Sequence, residues 1–323
     1  MLLGSPGLPA SAEPTPAPSG STDDEGAPTT LREVLEAAGR GYLDAKARLD
    51  ASKKKQVQYA LALQRAQDRL SAISVEVGAV ARTAYRTGRL SAISALLNSN
   101  SPDAFLERAV AMDVLALRDD ATMRKLTRAS EEWRRAKARL DAEVREGQKQ
   151  LAIMKKRRDD AERALAAVGG RPTGGYVSIN SPVARPAPRN PDGSWPREYC
   201  TIDDPTTSGC ITPRMLHAYR QAREAGFTRY TSCHRWGGSG EHPKGRACDF
   251  SAERDGFGGT ATGGDRTYGN NLAAFFVRNA DRLGVLYVIW YRQIWFPGNG
   301  WRSYSGCCNP ASSHTNHVHL SVY

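Results

Sequence analysis

Neither cysteine nor histidine occurs in the first 199 residues of this 323-residue chain; all six of each fall after residue 198. That absence removes thiolate or imidazole metal ligation and disulfide stapling from the front of the molecule. No Cys-x-x-Cys pair is present, which argues against a cysteine-rich zinc site. No segment is apolar enough to span a bilayer. Acidic residues are the scarcer charge, 34 against 45 Lys and Arg, for a net charge of +11. That excess permits attraction to polyanions, but no recognised nucleic-acid-binding motif accompanies it, so nucleic acid is not an expected partner.

The front of the chain is organised by composition. Ala10-Ser11-Ala12 before Glu13 has the form of an A-x-A cleavage site, so residues 1–12 read as the remnant of a signal peptide whose basic front end is missing. Residues 13–30 are Pro, Ser, Thr, Gly and acidic, a disordered leader. From Leu31, apolar or small residues recur by sevens in two rows. One row holds Leu35, Tyr42, Leu49, Leu63, Leu70 and Val77, and the other Leu31, Ala38, Ala45, Tyr59, Ala66, Ile73 and Val80. This is a coiled-coil seam. It predicts a break at Thr87-Gly88 and a short helix over 90–97. Ser101 and Pro102 then cap a second long helix. Residues 31–168 therefore read as an all-α coiled-coil hairpin, followed by a Gly- and Pro-rich linker over 169–198.

The remainder, 199–323, mixes one helix over 213–225, another over 268–283, and strands over 227–233, 246–251, 285–291 and 292–296, with a last strand at the C-terminus. The pattern predicts an α+β domain with an antiparallel sheet. Six cysteines confined to it suggest disulfides and an oxidising compartment, with connectivity open. Cys200 with Cys210 would close a short loop, and Cys233 with Cys248 would tie two segments of the motif region. Cys307 and Cys308 are adjacent and ill-suited to bond each other. Trp236, Tyr287, Trp290, Tyr291, Trp295 and Trp301 read mainly as core, with one or two available to line a substrate groove, and 256–264 as either a lid or a turn-rich loop.

Two short stretches carry chemistry: Glu241-His242-Pro243-Lys244-Gly245-Arg246-Ala247-Cys248-Asp249 and His317-Val318-His319. Two imidazoles and a carboxylate are sufficient protein ligands for a catalytic zinc with an open fourth position. Pro243 and Gly245 argue for a turn feeding a strand that carries Asp249. In the last strand, alternation sets His317 and His319 on one face and Val318, Leu320 and Val322 on the other.

His-x-x-Gly-x-Ala-x-Asp followed by His-x-His resembles the zinc peptidases of the lysostaphin, D-Ala-D-Ala peptidase and hedgehog superfamily, particularly the M15-type D,D-peptidases. Ser232-Cys233-His234-Arg235 extends the likeness, which covers about the last third of the chain. The resemblance implies a hedgehog/D,D-peptidase-like fold and one Zn²⁺ per chain held by His242, Asp249 and His319. His317 would act beside the reacting water, and Arg235 would bind a substrate carboxylate or developing oxyanion. Gly240 stands where such enzymes often have serine, and Asn316 where many have an acidic base. His317 is then the expected base, with Glu241 and His314 behind it. The implied activity is hydrolysis of an amide in peptidoglycan stem peptides or cross-bridges by an exported bacterial envelope protein. The helical region is similar to those preceding the catalytic domains of bacterial wall endopeptidases, which implies a membrane or division-complex partner; a passive spacer is the plainer alternative. The competing reading of the whole is an inactive zinc-binding or disulfide-stapled scaffold recruited through its coiled coil.

Overall fold

The computed structural model describes residues 29–178, 180–238, 240–304, 306 and 308–323. The signal-peptide remnant, Cys307 and the leader up to residue 28 lie outside them. No helix among the described residues is long and apolar enough to cross a membrane.

Two helices dominate the N-terminal half, α1 (Thr29–Leu97) and α2 (Pro102–Ala167). The Ser101 hydroxyl accepts from the Ala104 N–H at 3.2 Å, the cap expected ahead of Pro102. The break expected at Thr87-Gly88 does not occur, and α1 runs through to Leu97. A single interior glycine costs a helix only about 1 kcal/mol, too little to end it without a proline. The arms run antiparallel: Ser52 Oγ donates to the Glu143 carbonyl at 2.9 Å, and Arg69 pairs with Glu132 at 2.9 Å. Residues 44–154, with 190–194, make up one compact unit.

The second unit comprises 29–43, 155–189 and 195–323. Its strands β1 (Ile202–Asp203) and β2 (Cys210–Ile211) form a small antiparallel ribbon stapled by the Cys200–Cys210 disulfide. Helix α3 (Pro213–Glu224) follows. It is started by Thr212, whose side chain accepts from the Met215 N–H, and by Pro213 in its first turn. The main sheet is antiparallel throughout, in the order β3 (Thr231–Ser232), β4 (Ala247–Ser251), β8 (His317–Val322), β5 (Val285–Trp290), β6 (Gln293–Phe296), β7 (Gly300–Ser303). The expected α+β class with an antiparallel sheet, preceded by long helices, is therefore what the chain adopts.

Three local differences from the expectation have physical causes. The helix anticipated over 268–283 is two, α4 (Gly263–Arg278) and α5 (Ala280–Leu283). Asn279 divides them: its amide donates to the carbonyls of Pro182 and Phe275 and accepts from the Ala184 N–H. Strand β7 went unread because Gly300 and the turn before it masked the alternation. Between β5 and β6, Tyr291 and Arg292 both take positive φ, 49° and 62°, as a two-residue type I′ hairpin requires. Neither residue is a usual signal for it.

The pleat sorts the sheet into two faces. Cys248, Phe250, Val288, Trp290, Val318, Leu320 and Val322 turn toward α3 and α4 and form the main core. The other face carries Asp249, His317, His319 and Ser321, flanked by Tyr287, Ile289, Ile294 and Phe296. These apolar neighbours are covered by Leu31, Leu35, Ala38 and Leu43 of α1, Ala161 and Leu165 of α2, and Ala187 and Trp195. The first turns of the heptad seam thus build this domain's second core. The stretch read as a linker is likewise not free: Ala184, Ala187 and Trp195 are buried, and Pro172 bridges to Arg302. Its small residues and prolines let an extended chain lie close against the sheet and helices.

Candidate metal centre

The register of β4 against β8 pairs Asp249 with His319 and Ser251 with His317, so one sheet face holds a carboxylate between two imidazoles. His242 reaches the same point from a tight turn. The Lys244 and Arg246 N–H groups both donate to the Glu241 carbonyl, and the Gly245 N–H donates to that of His242. Gly245 sits at φ 67°, where a Cβ would lie 2.5 Å from the Cys200 sulfur and 2.8 Å from the Cys210 carbonyl oxygen. Only glycine fits there. The Cys233–Cys248 disulfide ties the segment before this turn to β4.

The three groups converge. His242 Nε2 lies 3.3 Å from both His319 Nδ1 and Asp249 Oδ1, and His319 Nδ1 lies 2.9 Å from Asp249 Oδ1. Tetrahedral ligands at about 2.0–2.1 Å from zinc stand ~3.3 Å apart, so the spacing suits that ion. The far ring nitrogens are also committed. His242 Nδ1 contacts the Cys233 carbonyl, and His319 Nε2 lies 2.8 Å from the Ser321 hydroxyl. The carbonyl can only accept, so it fixes the His242 tautomer that would leave Nε2 open to a metal, and the Ser321 hydroxyl can accept from His319 Nε2 in the same way. The donor set, its spacing and its supports all fit a zinc site.

Electrostatics agree with a site built for charge. All three side chains are buried. Burial alone would raise the Asp249 pKa, but the His242 and His317 imidazoles hold it well below the usual carboxylate range. Burial works against protonation of His242, yet Asp249 outweighs it and raises its pKa.

The remaining expected residues fall around this cluster with one exception. His317 Nε2 stands 3.4 Å from Asp249 Oδ1, and Arg235 Nη2 stands 3.4 Å from Asp249 Oδ2. His314 packs beside both terminal-strand histidines, with ring centroids 4.7 Å from His317 and 5.7 Å from His319. Both of its ring nitrogens are buried without a hydrogen-bond partner among the described residues. Glu241 is the exception. Its carboxylate engages Arg40 at 2.8 Å, Lys244 at 2.9 Å and Arg246 at 2.6 Å. Burial opposes its ionisation, but Glu36 and these cations hold its pKa low. It serves as an anchor of the turn rather than as a base. Ser251, in turn, supports the loop after β4, its hydroxyl donating to the Gly256 carbonyl at 2.6 Å.

Sequence reasoning missed two supports, Asn316 and Ser321. Asn316 Oδ1 lies 2.8 Å from His317 Nδ1, while its Nδ2 donates to the Gly258 carbonyl at 2.8 Å. The second bond sets the amide so that Oδ1 accepts from the imidazole, leaving His317 Nε2 as the free acceptor. For Ser321 the signal was available: it lies two residues beyond His319, on the same face of the same strand. The Gly-rich loop also contributes, with the Phe257 ring 5.4 Å from that of His317.

The fold and the site together define an α+β domain with a buried His–Asp–His cluster on one face of an antiparallel sheet. Within it, residues 207–318 match the family model described as the VldE C-terminal domain. That match includes Arg235, His242, Asp249 and His317 and stops one residue short of His319. No curated protein matches the chain.

Proposed function

We propose that this is an exported zinc-dependent peptidase of the M15-like, hedgehog/D,D-peptidase type, acting on an amide of peptidoglycan stem peptides or cross-bridges. The observation that carries the reading is the convergence of His242, Asp249 and His319 at 2.9–3.3 Å with their outer nitrogens already committed. Zinc held there would supply Lewis acidity and lower the pKa of water.

The chain's own residues account for the rest. Burial brings the His317 pKa down to about 4, so the ring is neutral at neutral pH and its Nε2 lone pair is open as an acceptor beside the cluster. Asn316 keeps that nitrogen turned toward the cluster. Arg235, partly exposed beside Asp249, can hold a substrate carboxylate or a developing oxyanion. Export is supported by the two disulfides, which persist in oxidising compartments. The helical hairpin is the proposed route to a membrane or division-complex partner.

The test is zinc stoichiometry by elemental mass spectrometry on the full oxidised chain, followed by mass spectrometry of soluble fragments released from purified peptidoglycan. One zinc per chain, lost in the His242→Ala/His319→Ala variant, together with new peptide termini, is the expected outcome. Zinc without cleavage would leave the scaffold reading, and no zinc in a folded wild type would remove the metallopeptidase reading.

A further inference from the structure

Away from the cluster, the second unit holds a recess of about 580 Å³ lined by Arg40, Arg197, Lys244, Arg246, Glu198 and Cys200 together with Trp195, Tyr199 and Tyr323. Arg40, Lys244 and Arg246 also hold Glu241, the anchor of the His242 turn, but none of the lining residues is a candidate ligand or proton acceptor. The volume lies within the range of small-molecule sites.

Two features of the lining point to a ligand. The first is charge: four cationic side chains share the wall with one carboxylate, Glu198, which is itself paired with Arg214 at 3.3 Å. Arg40, Lys244 and Arg246 converge on Glu241 behind the wall, and Lys244 also reaches Glu36 at 3.6 Å, so two carboxylates face these three cations and Arg197 adds a fourth. Arg197 is exposed and lies over the Tyr199 ring, 5.5 Å from its centroid. Guanidinium groups held in this way present a fork suited to a carboxylate or phosphate.

The second feature is the aromatic content. Trp195, itself buried, has the Arg189 and Arg214 guanidinium groups 3.7 and 4.8 Å from its ring centroid and stacks against Tyr323, which backs the recess. Tyr199 is largely exposed, at 60%. Aromatic walls with polar edges suit a ring that has an apolar face and a wet rim. Glu198 among the cations favours a ligand that brings hydroxyl donors with a single oxyanion over one that brings several charges.

We infer that this recess binds an acidic saccharide, a sugar ring bearing one carboxylate or phosphate, with Arg197 and Lys244 at the oxyanion and Tyr199 against the ring. The inference stands on the recess alone and does not depend on the metal centre. Both Arg197 and Tyr199 are surface residues, so their removal leaves the cores untouched.

The experiment is titration calorimetry on the full chain with four probes. N-acetylmuramic acid carries a carboxylate, glucose 6-phosphate carries a phosphate, N-acetylglucosamine is the neutral sugar, and inorganic phosphate is the anion alone. Saturable binding of either acidic sugar, at least tenfold tighter than the neutral sugar and the bare anion, supports the site; the tighter of the two identifies the oxyanion source. Arg197→Ala and Tyr199→Ala should each weaken that binding about tenfold, the scale of one charge-assisted bond or one stacked ring, with an unchanged circular dichroism spectrum. Equal affinity for the neutral sugar, binding of phosphate as tight as that of the sugars, no binding, or unaltered affinity in both variants would overturn it.

Discussion

Asn316 holds the His317 ring through its side-chain amide, at a position where a carboxylate would be a proton acceptor. Compared by position with acidic-base enzymes, it looks like a lost proton acceptor. In the fold it is the group that turns His317, bonded on its other side to the Gly258 carbonyl. On the proposed function, Asn316→Ala should keep its zinc content but lower peptide hydrolysis about 10–100-fold, the usual cost of losing a group that orients a site residue. His317→Ala should cost about 10²–10⁴-fold, the range for a positioned proton acceptor. Metal content and turnover measured on the same samples separate the two effects from loss of the site. Asp204 makes a different kind of prediction. It accepts from the His234 and Thr206 N–H groups and from both threonine hydroxyls, of Thr206 and Thr207. Burial opposes its ionisation, but these donors hold its pKa below the ordinary 3.8. A carboxylate with a depressed folded pKa contributes stability that is full above its ordinary value and is lost as pH falls through the folded one. Asp204→Asn should cost about 1–3 kcal/mol at pH 7 by denaturant melts, and the gap from wild type should close below about pH 4.

The elements were legible where a local signal was strong. Thr212-Pro213 announced α3, and alternation in the last strand correctly separated His317 and His319 from Val318 and Leu320. The meeting of His242, Asp249 and His319 was legible for the same reason, since these residues sit on two short motifs that the β4–β8 register brings face to face. Legibility failed where tertiary contacts decide the local structure. The Tyr291-Arg292 turn lacks the usual Asn-Gly, and its two N–H groups donate to the His314 and Ser313 carbonyls, which hold it in place. The start of α1 is another case. Its heptad repeat cannot say what the apolar stripe faces, and Leu35 proves to be buried against the sheet face that bears Tyr287 and Ile289. Leu35→Ala should therefore lower the stability of the sheet domain by about 2–5 kcal/mol, the cost of a buried leucine truncation. A seam residue packed only between two helical arms would leave that domain's melting unchanged. Thermal unfolding followed by near-UV signals from the sheet tryptophans distinguishes the two.

For the whole molecule, the boundary at residue 199 that composition suggests is not where the sheet domain begins. Leu31, Leu35, Ala38, Leu43, Ala161, Leu165, Ala187 and Trp195 all precede it, and they fill the core over Tyr287, Leu286, Ile289, Ile294 and Phe296. Polar ties follow the same line: Arg40 to Glu241, and Glu162 to Arg302 at 2.7 Å. A fragment of 199–323 would expose this apolar face and leave Glu241 without Arg40, so it should be aggregation-prone and bind zinc poorly even with both disulfides formed. The complementary variant keeps 29–43 and 155–323 and replaces 44–154 with a short Gly/Ser loop. The ends to be joined are close, since a Cβ added at Gly41 would meet the Arg157 side chain at 2.5 Å, and closing a short loop there costs little. This shortened chain should be monodisperse, melt cooperatively and bind one zinc. Size-exclusion chromatography and metal analysis of the two fragments decide the matter. A well-folded, zinc-replete 199–323 would show that the helical segments only decorate a domain complete without them.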